Sequence, residues 1–244
     1  MSGGILAISV PVGDHITGKL FGLTINIDDL VSVGIAGLII VGLGLWLRAK
    51  ITSGVPGKLQ LAFETIVGAV ENQVRSTMGE RGFFVIPLCV TLFIFILLCN
   101  WLEMLPTTYP GHHQLLPAPT GDINLTAALA ILVIVLVHIT WIRKSGLRSY
   151  ISHYLKPNPA FFLINVVEEI AKPLTLALRL FGNIFAGGIM LVLIADMPAK
   201  FVLPIPLLDF IWKLFDGLFV GPVQAFIFTL LTLLYFDSAI SGGH

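Results

Sequence analysis

The side chains with the clearest chemical potential lie in one stretch: Glu168, Lys172, Thr175, Arg179 and Asn183, spaced by 4, 3, 4 and 4 positions. That spacing puts all five on one face of an α-helix. The remaining positions are almost all Leu, Ile, Val, Phe, Ala or Gly. A single polar stripe on an otherwise apolar helix cannot face lipid. It must face protein or a water-filled cavity, and charges so placed mark ion or substrate pathways. Arg179 weighs most, because a guanidinium does not lose its proton in a protein. Holding it near the centre of a bilayer costs about 2.5–3.5 kcal/mol on the insertion scale. Lys172 precedes it by seven residues, roughly 10 Å along a helix axis, and snorkelling relieves part of such burial. The plainer reading is an Arg that pairs with Glu168, Glu169 or a lipid headgroup and anchors its helix.

A later segment offers a matching surface. Asp209, Lys213, Asp216, Val220 and Gln224 follow helical spacing, and Gly217, Gly221 and Ala225 form a neighbouring small-residue row. Small rows let helix backbones approach closely, and Gly182 and Ala186 give the Arg179 segment a short row of its own. Two helices packed through these rows would bring Arg179, Asn183 and Gln224 together. For Gln224 alone, a simple interhelical hydrogen bond is an equally good reading.

Elements that position such a stripe must be membrane helices. Of 244 residues, 56% are hydrophobic and 11% charged, against about 25% charged in a soluble domain. The 14 basic and 14 acidic side chains balance, so no global field recruits nucleic acid. A span needs about 20 mostly apolar residues. Such runs occupy 30–48, 82–102, 123–142, 160–196 and 207–237. Between the first two, Leu59, Ala62, Phe63, Ile66, Val67, Val70 and Val74 recur at helical spacing. Gln60, Glu64, Glu71, Asn72 and Arg75 fall largely opposite. That pattern predicts an amphipathic helix over 58–78 lying in the interface plane. The fold class is therefore an all-α membrane protein with five transmembrane helices and one interfacial helix. The fourth and fifth spans exceed a hydrocarbon core of about 30 Å, so both are expected to tilt strongly, and Pro173 is a site for a kink in the fourth.

Basic residues orient the spans. Arg48, Lys50 and Lys58 follow the first, and Arg143, Lys144, Arg148 and Lys156 follow the third, whereas 103–122 contains no Lys or Arg. Positive-inside bias places the N-terminal segment 1–29, the loop 103–122 and the Pro-rich turn 197–206 outside. The basic loop 143–159 and the tail 238–244 lie inside. The first basic residue is Lys19, after Asp14, so no secretory leader is expected and the first span should remain in the mature chain. Dinucleotide, phosphate-loop and zinc-protease motifs are missing from the sequence. Cys89 and Cys99 share one apolar run and make neither a disulfide framework nor a metal site. His138 is the only histidine within a span, and it is assigned a packing role alone.

The run Lys172-Pro-Leu-Thr-Leu-Ala-Leu-Arg-Leu-Phe-Gly-Asn183 resembles the signature of subunit a of the F-type ATP synthase. Gln224-Ala-Phe-Ile-Phe-Thr-Leu-Leu-Thr-Leu-Leu-Tyr235 is similar to that family's last helix. Asn100-Trp-Leu-Glu-Met-Leu-Pro106 and Pro119-Thr-Gly-Asp-Ile-Asn-Leu-Thr126 agree with it in order. The resemblance implies a stator subunit of a bacterial cytoplasmic membrane with no cofactor and no ATP chemistry of its own. Implied partners are a rotor ring of carboxylate-bearing hairpins, the membrane helices of a peripheral stalk, membrane lipids and, indirectly, the catalytic head. Arg179 is then the fixed cation facing the ring, with Asn183 and Gln224 near it. Glu168, Glu169 and Lys172 line an inner half-channel. Relatives often carry a Glu nine residues after the Arg, or an ionisable partner in the last helix. Here the ninth residue is Gly188, so Asp216 is expected in the outer half-channel, with Asp196, Asp209 and Glu103 at its mouth.

Two other classes compete. A self-contained transporter would bind an anionic substrate at Arg179, but such folds show internal repeats, and no two similar halves are visible. An intramembrane aspartyl protease would use Asp216 and Asp237. Asp237 lies too near the inner end for a paired site at mid-depth.

Overall fold

The computed structural model describes residues 17–20, 23–52, 54–103, 119–155, 162–195 and 205–241. Apart from a short antiparallel hairpin, β1 (Thr17–Leu20) and β2 (Leu23–Asn26), the regular structure is helical. That hairpin is a local departure from an all-helical chain within the expected outer segment. Seven α-helices follow: α1 (Ile27–Lys50), α2 (Lys58–Met78), α3 (Ile86–Glu103), α4 (Ile123–Leu155), α5 (Phe162–Ala195), α6 (Ile205–Phe215) and α7 (Gly221–Ser241). Five segments are long and apolar enough to cross a membrane, as the charge-free runs require.

Several boundaries differ from expectation for local reasons. The second span opens with a 3₁₀ turn, Gly79–Val85, before α3. Gly79 adopts φ 62° there, a region costly for residues bearing a Cβ. Gly82 sits so close to α2 that a Cβ would lie 2.7 Å from Val74 Cγ1. Helix continues past the expected loop start at 143 to Leu155, interrupted at Gly146 with φ 79°. Beyond that break the Tyr150 ring meets Trp141 (5.3 Å) and His138 (5.7 Å). The last span is two helices joined by a π turn, Asp216–Val220.

The core is one apolar cluster that includes Ile96, Val133, Leu176, Leu180, Phe228 and Leu233, all essentially inaccessible. α4 packs chiefly on α5 and α3 on α7, while α1 leans on α3 through Ala36, Cys99 and Leu102. The small row Gly217, Gly221 and Ala225 is buried, but Gly221 does not receive α5 as the spacing suggested. Gly221 turns to α3, where a Cβ would approach Asn100 Cβ to 3.3 Å. Gly182 meets nothing within 4 Å and Ala186 is exposed, so the row on α5 faces away from the bundle.

Candidate functional site

α5 is a 34-residue helix, and its polar residues divide by where they point. Glu169 is the engaged carboxylate. Lys172 Nζ donates to its Oε2 at 2.8 Å, and His138 Nε2 of α4 lies 3.4 Å from its Oε1. The Glu169 and Lys172 side chains are 17% and 24% exposed, so this pair is far less screened than a surface bridge. Pro173 has no N–H to return to the carbonyl four residues back, which leaves the Glu169 backbone oxygen without its usual helical donor. Packing of α4 on α5 recruits His138. Sequence reasoning left it aside, because nothing in the local pattern announces a contact between residues on separate helices.

Glu168, Thr175 and Arg179 are exposed, and Asn183 is half-buried. Elsewhere around α5, Ile170, Leu174 and Leu178 are large apolar side chains also open to the surroundings. Among the described residues, no carboxylate pairs with Arg179. Glu169, the partner an anchoring role would use, is held by Lys172 and His138 instead. Tyr235 of α7 lies within electrostatic reach of both Arg179 and Glu169. It closes the last-helix run read in the sequence, but a side chain on another helix could be brought near those charges only by the fold.

Gln224 is buried in the bundle, on α7, which packs against α5. Asp216 is half-buried at the start of the π turn. Its carboxylate oxygens lie 3.7 Å from the place a Cβ on Gly187 would take. The acid supplied by the last span thus lies against the backbone of α5 at Gly187. Asp209 is bridged to Lys213 at 3.4 Å, both about two-fifths exposed. Glu103 closes α3, but its side chain, Asp196 and most of the Pro-rich turn 197–206 lie outside the described residues. Asp237 accepts from Ser241 at 3.2 Å and stands 21 residues beyond Asp216, roughly 30 Å along the helix. The two aspartates cannot form a protease dyad.

One end of the bundle carries a second polar network. Asp122 caps α4 by accepting from Asn124 N at 2.8 Å, and it receives Asn26 Nδ2 at 3.0 Å. Thr120 Oγ1 donates to Asn100 Oδ1 at 2.8 Å. Asn100 Nδ2 donates to Gly221 O at 3.2 Å, and Trp101 Nε1 to Gly217 O at 2.9 Å. Of the two motifs noticed in the sequence, Asn100-Trp101 thus meets the last span, and Pro119-Thr-Gly-Asp122 joins it through Thr120 and Asn100.

Fold and site define a multi-pass helical membrane protein whose ionisable residues thread its spanning helices, with one cation on an uncovered face. Residues 30–237 match the family described as ATP synthase A chain. The chain is 54% identical over 242 residues to an ATP synthase subunit a of Acidothermus cellulolyticus, covering 98% of this chain and 87% of that one. It is 48% identical over 243 residues to that of Mycobacterium tuberculosis, covering 97% and 96%. To that of Bacillus subtilis it is 35% identical over 240 residues, covering 93% and 98%. The chain belongs to the ATP synthase A chain family. The broad function follows: a proton-translocating subunit of the ATP synthase membrane sector, carried on a multi-pass membrane protein.

Proposed function

We propose that Arg179 is the fixed cation of a stator wall against which a ring of carboxylate-bearing hairpin subunits rotates. One observation carries this reading: Arg179 is exposed on a helix whose Leu174 and Leu178 are also open to the surroundings, while Glu169 is already committed to Lys172 and His138. A charge left uncovered on an apolar membrane face needs a partner from another chain. A ring carboxyl group facing lipid must be neutral, since a bare carboxylate there is too costly. Beside Arg179 it ionises and gives up its proton to one side. The permanent cation attracts the incoming carboxylate and repels a hopping proton. Protons then cross by riding the ring, each charge gaining about 2.3 kcal/mol per 100 mV.

Two half-channels complete the path. On the outer side Asp216, set against Gly187, takes up the proton, with Asp196, Asp209 and Glu103 at the mouth. On the inner side Glu168, Glu169 and Lys172 line the exit. Asn183 and Gln224 tune the seam near Arg179. The bare row of Gly182 and Ala186 on the outward face lets a ring helix come close. The N-terminus lies outside and the C-terminus inside, α2 rests in the interface plane, and α5 and α6–α7 run strongly tilted. α5 is roughly 51 Å long at about 1.5 Å per residue. Peripheral-stalk membrane helices and lipids cover the remaining apolar surface, and the catalytic head couples indirectly.

Arg179→Ala in the assembled synthase is expected to abolish proton-driven ATP synthesis while allowing passive proton leak through the membrane sector. A cysteine beside Arg179 is expected to crosslink to the carboxyl-bearing ring helix. Undiminished proton-driven synthesis in Arg179→Ala overturns the assignment.

A further inference from the structure

The π turn at Asp216–Val220 has a cause and a consequence. Gly221 N–H donates to Asp216 O, five residues back. In a regular α-helix that N–H would serve Gly217 O. The next residue, the π-type donor for Gly217 O, is Pro222, which has no N–H. Gly217 O is therefore left without a donor in its own helix, and Gly217 is buried. A buried carbonyl in that state costs free energy unless another group supplies a hydrogen. Trp101 Nε1 supplies it at 2.9 Å. Its chain neighbour Asn100 donates to Gly221 O at 3.2 Å, and Thr120 donates to Asn100 Oδ1 at 2.8 Å. The two ends of the π turn are thus gripped from α3 by adjacent side chains.

We infer that Asn100 and Trp101 are positioning residues: by holding the π turn they hold the Asp216 carboxyl against Gly187, where its oxygens lie 3.7 Å from a notional Cβ. The inference rests on the proposed role of Asp216 in proton uptake. A turn of helix one residue per turn wider re-aims the side chain at its start, and π turns recur at functional sites for that reason. Other charged groups on the packed elements are few. Asp209 and Lys213 are bridged to each other, Glu103 ends α3, and the α5 charges Glu168, Glu169, Lys172 and Arg179 all precede Gly187 by at least two turns.

The test is Trp101→Phe, which keeps an aromatic ring and removes the N–H, in the whole synthase in membrane vesicles. Proton-driven ATP synthesis is measured against pH on the uptake side. The expected result is about a tenfold loss with the midpoint of the pH profile displaced, at normal assembly. Pro222→Ala restores a backbone N–H that can serve Gly217 O from within the helix. Added to Trp101→Phe, it is expected to return both the rate and the midpoint toward the parent. A Trp101→Phe profile that is unmoved, or a loss that Pro222→Ala leaves unrelieved, overturns the inference. Asp216→Asn separates the two levels. If it leaves uptake intact, the role of Asp216 falls and the positioning inference with it. If it blocks uptake while Trp101→Phe does not alter the profile, only the positioning inference falls.

Discussion

Glu169 is the carboxylate that Lys172 and His138 hold between them, so its ion pair with Lys172 is the contact to perturb. Opposite unit charges 2.8 Å apart attract by about 6 kcal/mol at an effective dielectric constant of about 20. Desolvation offsets most of that. Breaking a fully buried pair costs about 3–5 kcal/mol, whereas an exposed one contributes about 0–1 kcal/mol. With side chains 17% and 24% exposed, the pair falls between, and a coupling of about 2 kcal/mol is expected. The assay is a double-mutant cycle of Glu169→Gln and Lys172→Met, read as the unfolding free energy of the chain in mild detergent titrated with a denaturing one. Each single substitution should cost about 2 kcal/mol and the double little more than either. Costs that add to within about 0.5 kcal/mol would refute the reasoning. The Glu169–Lys172 pair would then contribute no coupling, and the claim that this ion pair engages Glu169 would lose its basis.

Two further outcomes follow from the packing. Gly82→Ala drives a Cβ to within 2.7 Å of Val74 Cγ1 and 2.8 Å of Met78 Cβ, and the same titration should show a loss of about 1–3 kcal/mol. Gly68→Ala, in α2 with nothing within 4 Å, should instead gain about 0.5–1 kcal/mol. Asp209→Asn breaks a half-exposed bridge to Lys213 worth at most about 1 kcal/mol. Proton-driven ATP synthesis in vesicles should fall about twofold or less, well short of the effect of Asp216→Asn.

What the sequence made legible depended on whether a signal was local. Charge-free runs announce spans because the bilayer demands about 20 apolar residues at a stretch, and five segments of that kind are present. The polar face of α5 was readable from a spacing of three and four. Its direction was not, since helical periodicity fixes which residues share a face and leaves open which neighbour that face meets. The row Gly217, Gly221 and Ala225 shows the difference. Its close-packing character was plain, yet Gly221 within it packs on Asn100 of α3, 121 positions away in sequence. His138 was passed over for the same reason, because its partner Glu169 sits on a different helix. The π turn did leave a mark in Gly221-Pro222, since a proline inside a helix always withdraws one donor. Gly146 likewise marks the break that turns the tail of α4 back toward Trp141.

The uncovered guanidinium also bears on biogenesis. Arg179 is exposed on a spanning helix; on the proposed stator role, a copy inserted ahead of its rotor would hold it against acyl chains, at about the 2.5–3.5 kcal/mol that a central Arg costs on insertion. Such a copy lowers its energy by recruiting water and headgroups around that position, thinning the bilayer locally. On the proposed stator role, docking of the ring would remove the defect, which would favour late incorporation of this subunit over early incorporation. The same blemish would distinguish an orphan copy from an assembled one, because only docking covers the charge.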